Sequence, residues 1–261
     1  MNYEITGQGE EAVVLSAGLG GAAAFWAPQR ALLEQHFRVV TFDQRGTGRN
    51  GGELPESYTI GHMTDDVLEV LDAAGLRRAH FLGHAVGGLV GLELARRHPE
   101  RMGRLVLVNA WAQMDRHTAR CFDIRIGILH AQGPAAYVSA QPLFLHTAPY
   151  MTAHFEKILA EVALGTAQFQ GAGNLLKRIG AARSFDARDD LARITAPTLI
   201  AASRDDLLVP WTASQALAEG LPNGELWIVP EGGHAFTVEQ PDTFNERLIS
   251  FLVHTPKTAC T

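Results

Sequence analysis

Six short runs rich in aliphatic and β-branched residues, AVVLSAG, RVVTFDQ, AHFLGHA, RLVLVNA, PTLIAAS and ELWIVPE, recur along the chain with helical stretches between them. They are apolar at successive rather than alternate positions, the pattern of strands covered on both faces. Helices supply that cover: MTDDVLEVLDAAG carries Met63, Val67, Val70 and Leu71 at helical spacing. Parallel neighbours need a crossover, so this alternation predicts a mostly parallel, doubly wound α/β sheet of about seven or eight strands, beginning at YEIT.

After Trp111 the alternation stops. Roughly the next eighty residues are helix-like with Gly and Pro punctuation (AQGPAAYVSAQPLFLHTAPY, FEKILAEVALGTAQF) before PTLIAAS resumes. A helical cap inserted into one α/β core is expected, with residues 1–112 and 191–261 as the core and 113–190 as the cap. At 261 residues and 46% hydrophobic content the chain can bury such a core. No repeat or low-complexity segment interrupts it, and VHTPKTACT reads as a frayed end.

Candidate functional groups fall at successive strand ends. SAGLGG (Ser16–Gly21) lets the backbone approach a ligand and aim the Leu19 amide into a site, although a Gly-rich turn that binds nothing is an equal reading of that stretch alone. In FDQRGTGRN, Asp43 and Arg45 are read as ties within their own loop rather than as ligands. GHAVGG (Gly83–Gly88), between the strand AHFLG and the helix LVGLELARRHPE, is a tight strand-to-helix turn of the G-x-S-x-G kind with Ala85 at its centre. That position exposes the nucleophile of a serine hydrolase, and the amide of the next residue, Val86, holds developing negative charge at a helix N-terminus. The hydroxyl is missing; the amides need not be. His84 is read as packed or hydrogen-bonded. Downstream, AASRDDLLVP offers Asp205 and Asp206, and PEGGHAF places His234 in a glycine turn. Asp206 orienting His234 is the acid and base half of a triad, with Asp205 capping or facing solvent. Each alone is more often a surface loop group; their order along the chain makes coincidence a poor explanation.

Charge and cysteine usage exclude several classes. A net charge of −6 without a Lys/Arg run points away from nucleic acid and anionic membranes and towards a small-molecule ligand. Cys121 and Cys260 lack CxxC or zinc-like spacing, and GLGG lacks dinucleotide-binding spacing, so neither metal nor cofactor is expected. The start NYEITGQGE has no leader-like pattern and no apolar run reaches spanning length, which fits a cytoplasmic protein. For a small anionic ligand, Arg120, Arg125, Gln141 and Asn174 in the cap and Asn109 and Trp111 after a strand end are available donors. Arg125 is preferred because an early cap helix overhangs the elbow; the alternative is a solvent-facing or intra-cap ion pair.

Strand order, elbow, cap position, Asp206 and His234 together resemble the α/β-hydrolase superfamily over almost the whole chain. SAGLGG, DQRGTG, GHAVGGLVG, AQPLFL, FQGAGNLL, DDLLVP and GGHA resemble more closely the aminoacrylate or carbamate hydrolases of the Rut pathway of pyrimidine degradation, which carry alanine at the elbow. That resemblance implies a hydrolase of a small, labile C–N compound: carbamate to ammonia and carbon dioxide, or aminoacrylate to malonic semialdehyde and ammonia. It implies His234 as general acid and base, no covalent nucleophile, and a possible homodimer through the cap. Two other readings stay open: a serine esterase or thioesterase with serine replaced at position 85, and a non-catalytic relative that binds a metabolite.

Overall fold

The computed structural model describes residues 1–253. Cys260 and all but the first residue of the tail expected to fray lie outside the described residues. The strands are β1 (Tyr3–Thr6), β2 (Ala12–Ser16), β3 (Arg38–Phe42), β4 (Ala79–His84), β5 (Met102–Val108), β6 (Thr198–Ser203) and β7 (Gly224–Val229). They form one seven-stranded sheet in the order β1-β3-β2-β4-β5-β6-β7. The six apolar runs are β2 to β7, all parallel, and YEIT is the antiparallel edge, with Tyr3 opposite Phe42.

Helices α1 (Ala27–Leu33), α2 (Ile60–Ala73) and α3 (Val86–Arg97) connect the first strands; α4 (Arg116–Leu145), α5 (Ala148–Ala153), α6 (Phe155–Ala167) and α7 (Ala172–Ser184) lie between β5 and β6; α8 (Trp211–Gly220), α9 (Phe236–Glu239) and α10 (Pro241–Val253) complete the chain. Every residue of β2, β4 and β6 is buried. Adjacent strand residues divide between two apolar layers: Val14, Phe81 and Leu105 pack with α2 and α3, whereas Val13, Leu82 and Val106 pack on the opposite face beneath α10. The alternation of side chains across a strand thus explains why each run is apolar throughout. α2 buries Met63, Val67, Val70 and Leu71, and its Thr59 cap accepts a hydrogen bond from the His62 amide.

The chain moves from β2 outward to β3, then returns to β4 and proceeds the other way. Loops leaving the C-terminal ends of β2 and β4 diverge at that reversal and open a crevice, the place where open α/β sheets bind ligands. Ala85 follows β4 directly. Over the crevice, α4 breaks at Gly133 (φ 83°), ahead of Pro134, so that its two limbs pack on α6 and α7. These helices hold a small apolar cluster of Phe122, Leu129, Tyr137, Val138, Leu175 and Ile179. Where the chain leaves and rejoins the sheet, a bridge joins Gln113 to Asp186, and the Ala187 amide donates to the Ala112 carbonyl at 3.0 Å. Among the described residues no helix is long and apolar enough to cross a membrane.

Candidate active site

The turn after β4 holds Ala85 at φ 47°, ψ −112°, a strained conformation for a residue with a Cβ. Backbone bonds fix it: the Ala85 amide donates to the Val108 carbonyl at 2.8 Å, and the Ala85 carbonyl accepts from Gly88 and Leu89 at 2.8 and 3.2 Å. Close approach explains the flanking glycines. A Cβ on Gly83 would lie 2.4 Å from the Gly87 carbonyl oxygen, and one on Gly87 would lie 2.3 Å from that of Ser16. Val86 opens α3, whose residues from Val86 to Ala95 are all buried. Among the described residues no carbonyl engages the Leu19 or Val86 amide, and both residues line a cavity of about 370 Å³ with Ala85 and His234.

His234 Nδ1 donates to Asp206 Oδ2 at 2.7 Å, and both side chains are buried. Asp206 Oδ1 accepts the Leu208 and Val209 amides at 2.7 and 2.9 Å, which fixes the carboxylate behind the ring. With Nδ1 committed, Nε2 has no hydrogen-bond partner among the described residues, and His234 lines the cavity. Asp205 is exposed, in keeping with the solvent-facing reading, and its Oδ1 also accepts Ser203 Oγ at 2.6 Å and the Gly233 amide at 2.9 Å, holding the histidine loop against β6.

His84 packs its ring 4.6 Å from His234, and its Nε2–H donates to the His234 carbonyl at 2.9 Å. Burial, and then the charge of His234, push His84 well below the ordinary histidine range; burial likewise lowers His80. The unfolded chain therefore takes up these protons first. Stability from both groups is complete above about pH 6.5 and declines below it, by up to about 1.4 kcal/mol per pH unit for each histidine, until the folded-state value is reached. Urea midpoints should fall between pH 7.5 and 5.5, more gently in His84→Gln. A midpoint independent of pH across that interval would remove the buried neutral histidine from the account.

The structure separates the candidate anion donors. Trp111, Arg125 and Gln141 line the cavity. Asn109 does not: at φ 48° it turns inward, its Nδ2 donating to the His234 carbonyl at 2.7 Å, so it anchors the histidine loop rather than meeting a ligand. Asn174 is also withdrawn, bound to the Gly46 and Gly52 carbonyls and the Leu54 amide, where it ties α7 to the core. Arg120 is exposed and lies outside the cavity. Arg125 is buried and forms no ion pair among the described residues, contrary to the solvent-facing alternative. Asp43 accepts the Arg49 amide of its own loop at 3.0 Å and the Ala23 amide at 2.9 Å, whereas Arg45 departs from the expected tie within its loop and pairs with Asp66 and Glu69 on α2. A larger groove of about 870 Å³ beside Asp43 and Arg49 contains neither Ala85 nor His234. No group of three or more metal-ligating side chains is assembled among the described residues.

Known proteins match this arrangement along its length. Residues 11–127 fit the model of the alpha/beta hydrolase fold family. A protein of Agrobacterium fabrum named "Putative carbamate hydrolase RutD" is 49% identical, over 99% of this chain and all of its own length. The chain belongs to the RutD family of α/β hydrolases. Another RutD protein, from Variovorax paradoxus, is 51% identical over 97% of this chain and 96% of its own. Among solved structures, the enol-lactonase of Burkholderia xenovorans LB400 superposes with a TM-score of 0.88 at 28% identity, covering 97% of this chain and 96% of that one.

Two buried supports of this RutD-family site escaped the sequence motifs. Arg178 on α7 is fully buried, which pushes its guanidinium down to about 10. It donates to Gln44 Oε1 and, at 3.4 Å, to the Gly18 carbonyl, while Gln44 Nε2 donates to the Ala17 carbonyl at 2.7 Å. Together they brace the loop that carries Leu19. The signal was present: Arg178 shares the buried face of α7 with Leu175, Ile179 and Ala182. Glu239 is the second support, accepting His146 Nδ1, the Thr147 amide and Thr147 Oγ1 at 3.0, 3.0 and 2.8 Å. With the Ala235 amide donating to the Leu145 carbonyl at 2.8 Å, it latches the end of α4 to the loop bearing His234. No local pattern in a RutD-family sequence announces a contact between groups some ninety residues apart.

Proposed function

We propose that the chain accelerates the breakdown of carbamate to ammonia and carbon dioxide, a cytoplasmic step of pyrimidine degradation, by proton transfer from His234 without a covalent nucleophile. The observation that carries this reading is a buried Asp206–His234 pair, 2.7 Å apart, whose histidine lines a cavity where the nucleophile position presents only a methyl group. The names of the relatives support the substrate.

Asp206 accepts the Nδ1–H hydrogen bond, which leaves the imidazolium Nε2–H to deliver its proton to the carbamate nitrogen. Protonation removes the nitrogen lone pair from conjugation, the C–N bond breaks with its electrons going to nitrogen, and H₂N–COO⁻ plus one proton becomes ammonia and carbon dioxide. The imidazole recovers its proton from solvent. Amides of Leu19 and Val86 face the oxygens, the latter at the positive end of α3. There is no acyl group to transfer, so a serine would have nothing to do.

Magnitudes agree with a labile substrate. Removing the nucleophile of a serine triad leaves about 10³ to 10⁴ over water, too little for a stable amide. General acid catalysis from one residue contributes about 10² to 10⁴, some 3 to 5 kcal/mol, which suffices for a molecule that already decays unaided. Aminoacrylate is the second reading, because a cavity of about 370 Å³ exceeds what carbamate alone fills and the required steps are again proton transfers.

Freshly dissolved ammonium carbamate, followed by stopped-flow release of carbon dioxide, tests the proposal. Decay should accelerate in proportion to protein concentration, and the same assay with aminoacrylate compares the two substrates. Decay of both at the buffer rate would leave the non-catalytic binding protein as the surviving account.

A further inference from the structure

Among the described residues Arg125 lines the cavity without an ion-pair partner. It is 4% exposed, yet it lines the cavity that contains Ala85 and His234. Its guanidinium carbon lies 5.3, 5.1 and 5.5 Å from the ring centres of Phe122, Tyr137 and Phe144. Nη2 donates to the Tyr137 hydroxyl at 2.8 Å, whereas Nε is buried with no partner. Glu161 lines the same cavity but pairs with Lys157, at 3.8 Å. The contrast with Arg178 is informative. That arginine is also buried with a bare Nε, but its Nη1 and Nη2 are spent on Gln44 and on the carbonyls of Gly18 and Arg45, and it does not line this cavity.

A buried guanidinium with donors left over is costly, and aromatic faces offset only part of that cost. An anion entering the cavity would complete it. A planar carboxylate matches the fork of guanidinium donors better than any neutral group. Trp111, which lines the same cavity, carries a second unspent donor, its Nε1 being buried without a partner among the described residues.

We propose that Arg125, assisted by the Trp111 Nε1–H, is a carboxylate-binding subsite, so that the cavity takes small planar carboxylate anions and discriminates against their neutral amide and ester counterparts. The inference rests on the hydrolase reading above and names the substrate class of that site. Carbamate and aminoacrylate both carry the required group. In this arrangement Arg125 grips the anion while His234 moves the proton, and the aromatic rings exclude water that would otherwise weaken the attraction.

Acetate, isosteric with carbamate and inert, is the probe, with acetamide as its neutral counterpart; calorimetric titration reads their binding. Acetate should bind wild-type protein about ten-fold or more tightly than acetamide, and Arg125→Gln should weaken acetate by about the same factor while leaving acetamide nearly unchanged. Arg125→Lys should retain part of the preference, and Trp111→Phe should weaken acetate several-fold. Equal binding of the two probes by wild type, or undiminished acetate binding by Arg125→Gln, would overturn the subsite. Should Arg125→Gln fail to fold by circular dichroism, the wild-type preference together with the Arg125→Lys and Trp111→Phe titrations decides the matter. Arg125-dependent acetate binding without accelerated carbamate decay would keep the subsite and remove the hydrolase reading. Accelerated decay with an unchanged KM in Arg125→Lys and no acetate preference would do the reverse.

Discussion

His234→Ala is expected to bring protein-accelerated carbamate decay down to the rate of buffer alone, a loss of about 10² to 10⁴. The size follows from the absence of a substitute. His84 lies beside His234 in the same cavity, but its Nε2–H is held by the His234 carbonyl and burial disfavours its charged form. Arg125 lines the cavity too, yet a guanidinium is a poor proton donor near neutral pH. The variant should stay folded, since Asn109 and His84 bind the backbone carbonyl at position 234, which alanine retains. Asp206→Asn should lose a comparable factor, because the amide would favour the wrong tautomer of the ring. Stopped-flow decay measured against a buffer blank is the check; a rate equal to wild type in His234→Ala would take the histidine out of the mechanism.

Ala85→Ser should acquire an activity that the wild type lacks, a burst of released phenol with an activated ester such as p-nitrophenyl acetate, followed by slow turnover. Backbone bonds to Val108, Gly88 and Leu89 hold the strained elbow, and none involves the alanine methyl. A hydroxyl there would join a histidine already oriented by a carboxylate at 2.7 Å and amides free to meet an oxyanion. In a complete triad the nucleophile accounts for about 10⁶ in turnover, so even imperfect alignment should give a measurable burst. Carbamate decay should gain nothing from the same change, since protonation of nitrogen needs no acyl transfer. No burst from a folded Ala85→Ser protein would mean that His234 does not address the elbow, and the proton-transfer proposal would lose its geometry.

Much of this was readable from residues alone, for reasons that differ by position. β2, β4 and β6 announced themselves because a strand covered on both faces must be apolar at every position. Gly83 and Gly87 marked the elbow because no side chain fits against the Gly87 and Ser16 carbonyls. Asn109 misled: an amide after a strand end looks like a ligand donor, but a backbone at φ 48° sends its side chain into the histidine loop. Asn174 misled likewise, because a cap helix can spend a polar side chain on the core beneath it.

The sequence by itself determined the sheet, the helices that cover it, the elbow and the order of acid and histidine, because burial periodicity and tight-turn sterics act over a few neighbouring residues. Tertiary structure alone decided which donors remain unspent. Arg178 and Arg125 are both buried with a bare Nε, yet the terminal nitrogens of the first are spent on Gln44 and main-chain carbonyls, while those of the second bond, among the described residues, the Tyr137 hydroxyl alone amid aromatic rings. That difference depends on how α4 and α7 seat against loops far away in the chain, and the partners available to a buried polar group are fixed only when those elements pack.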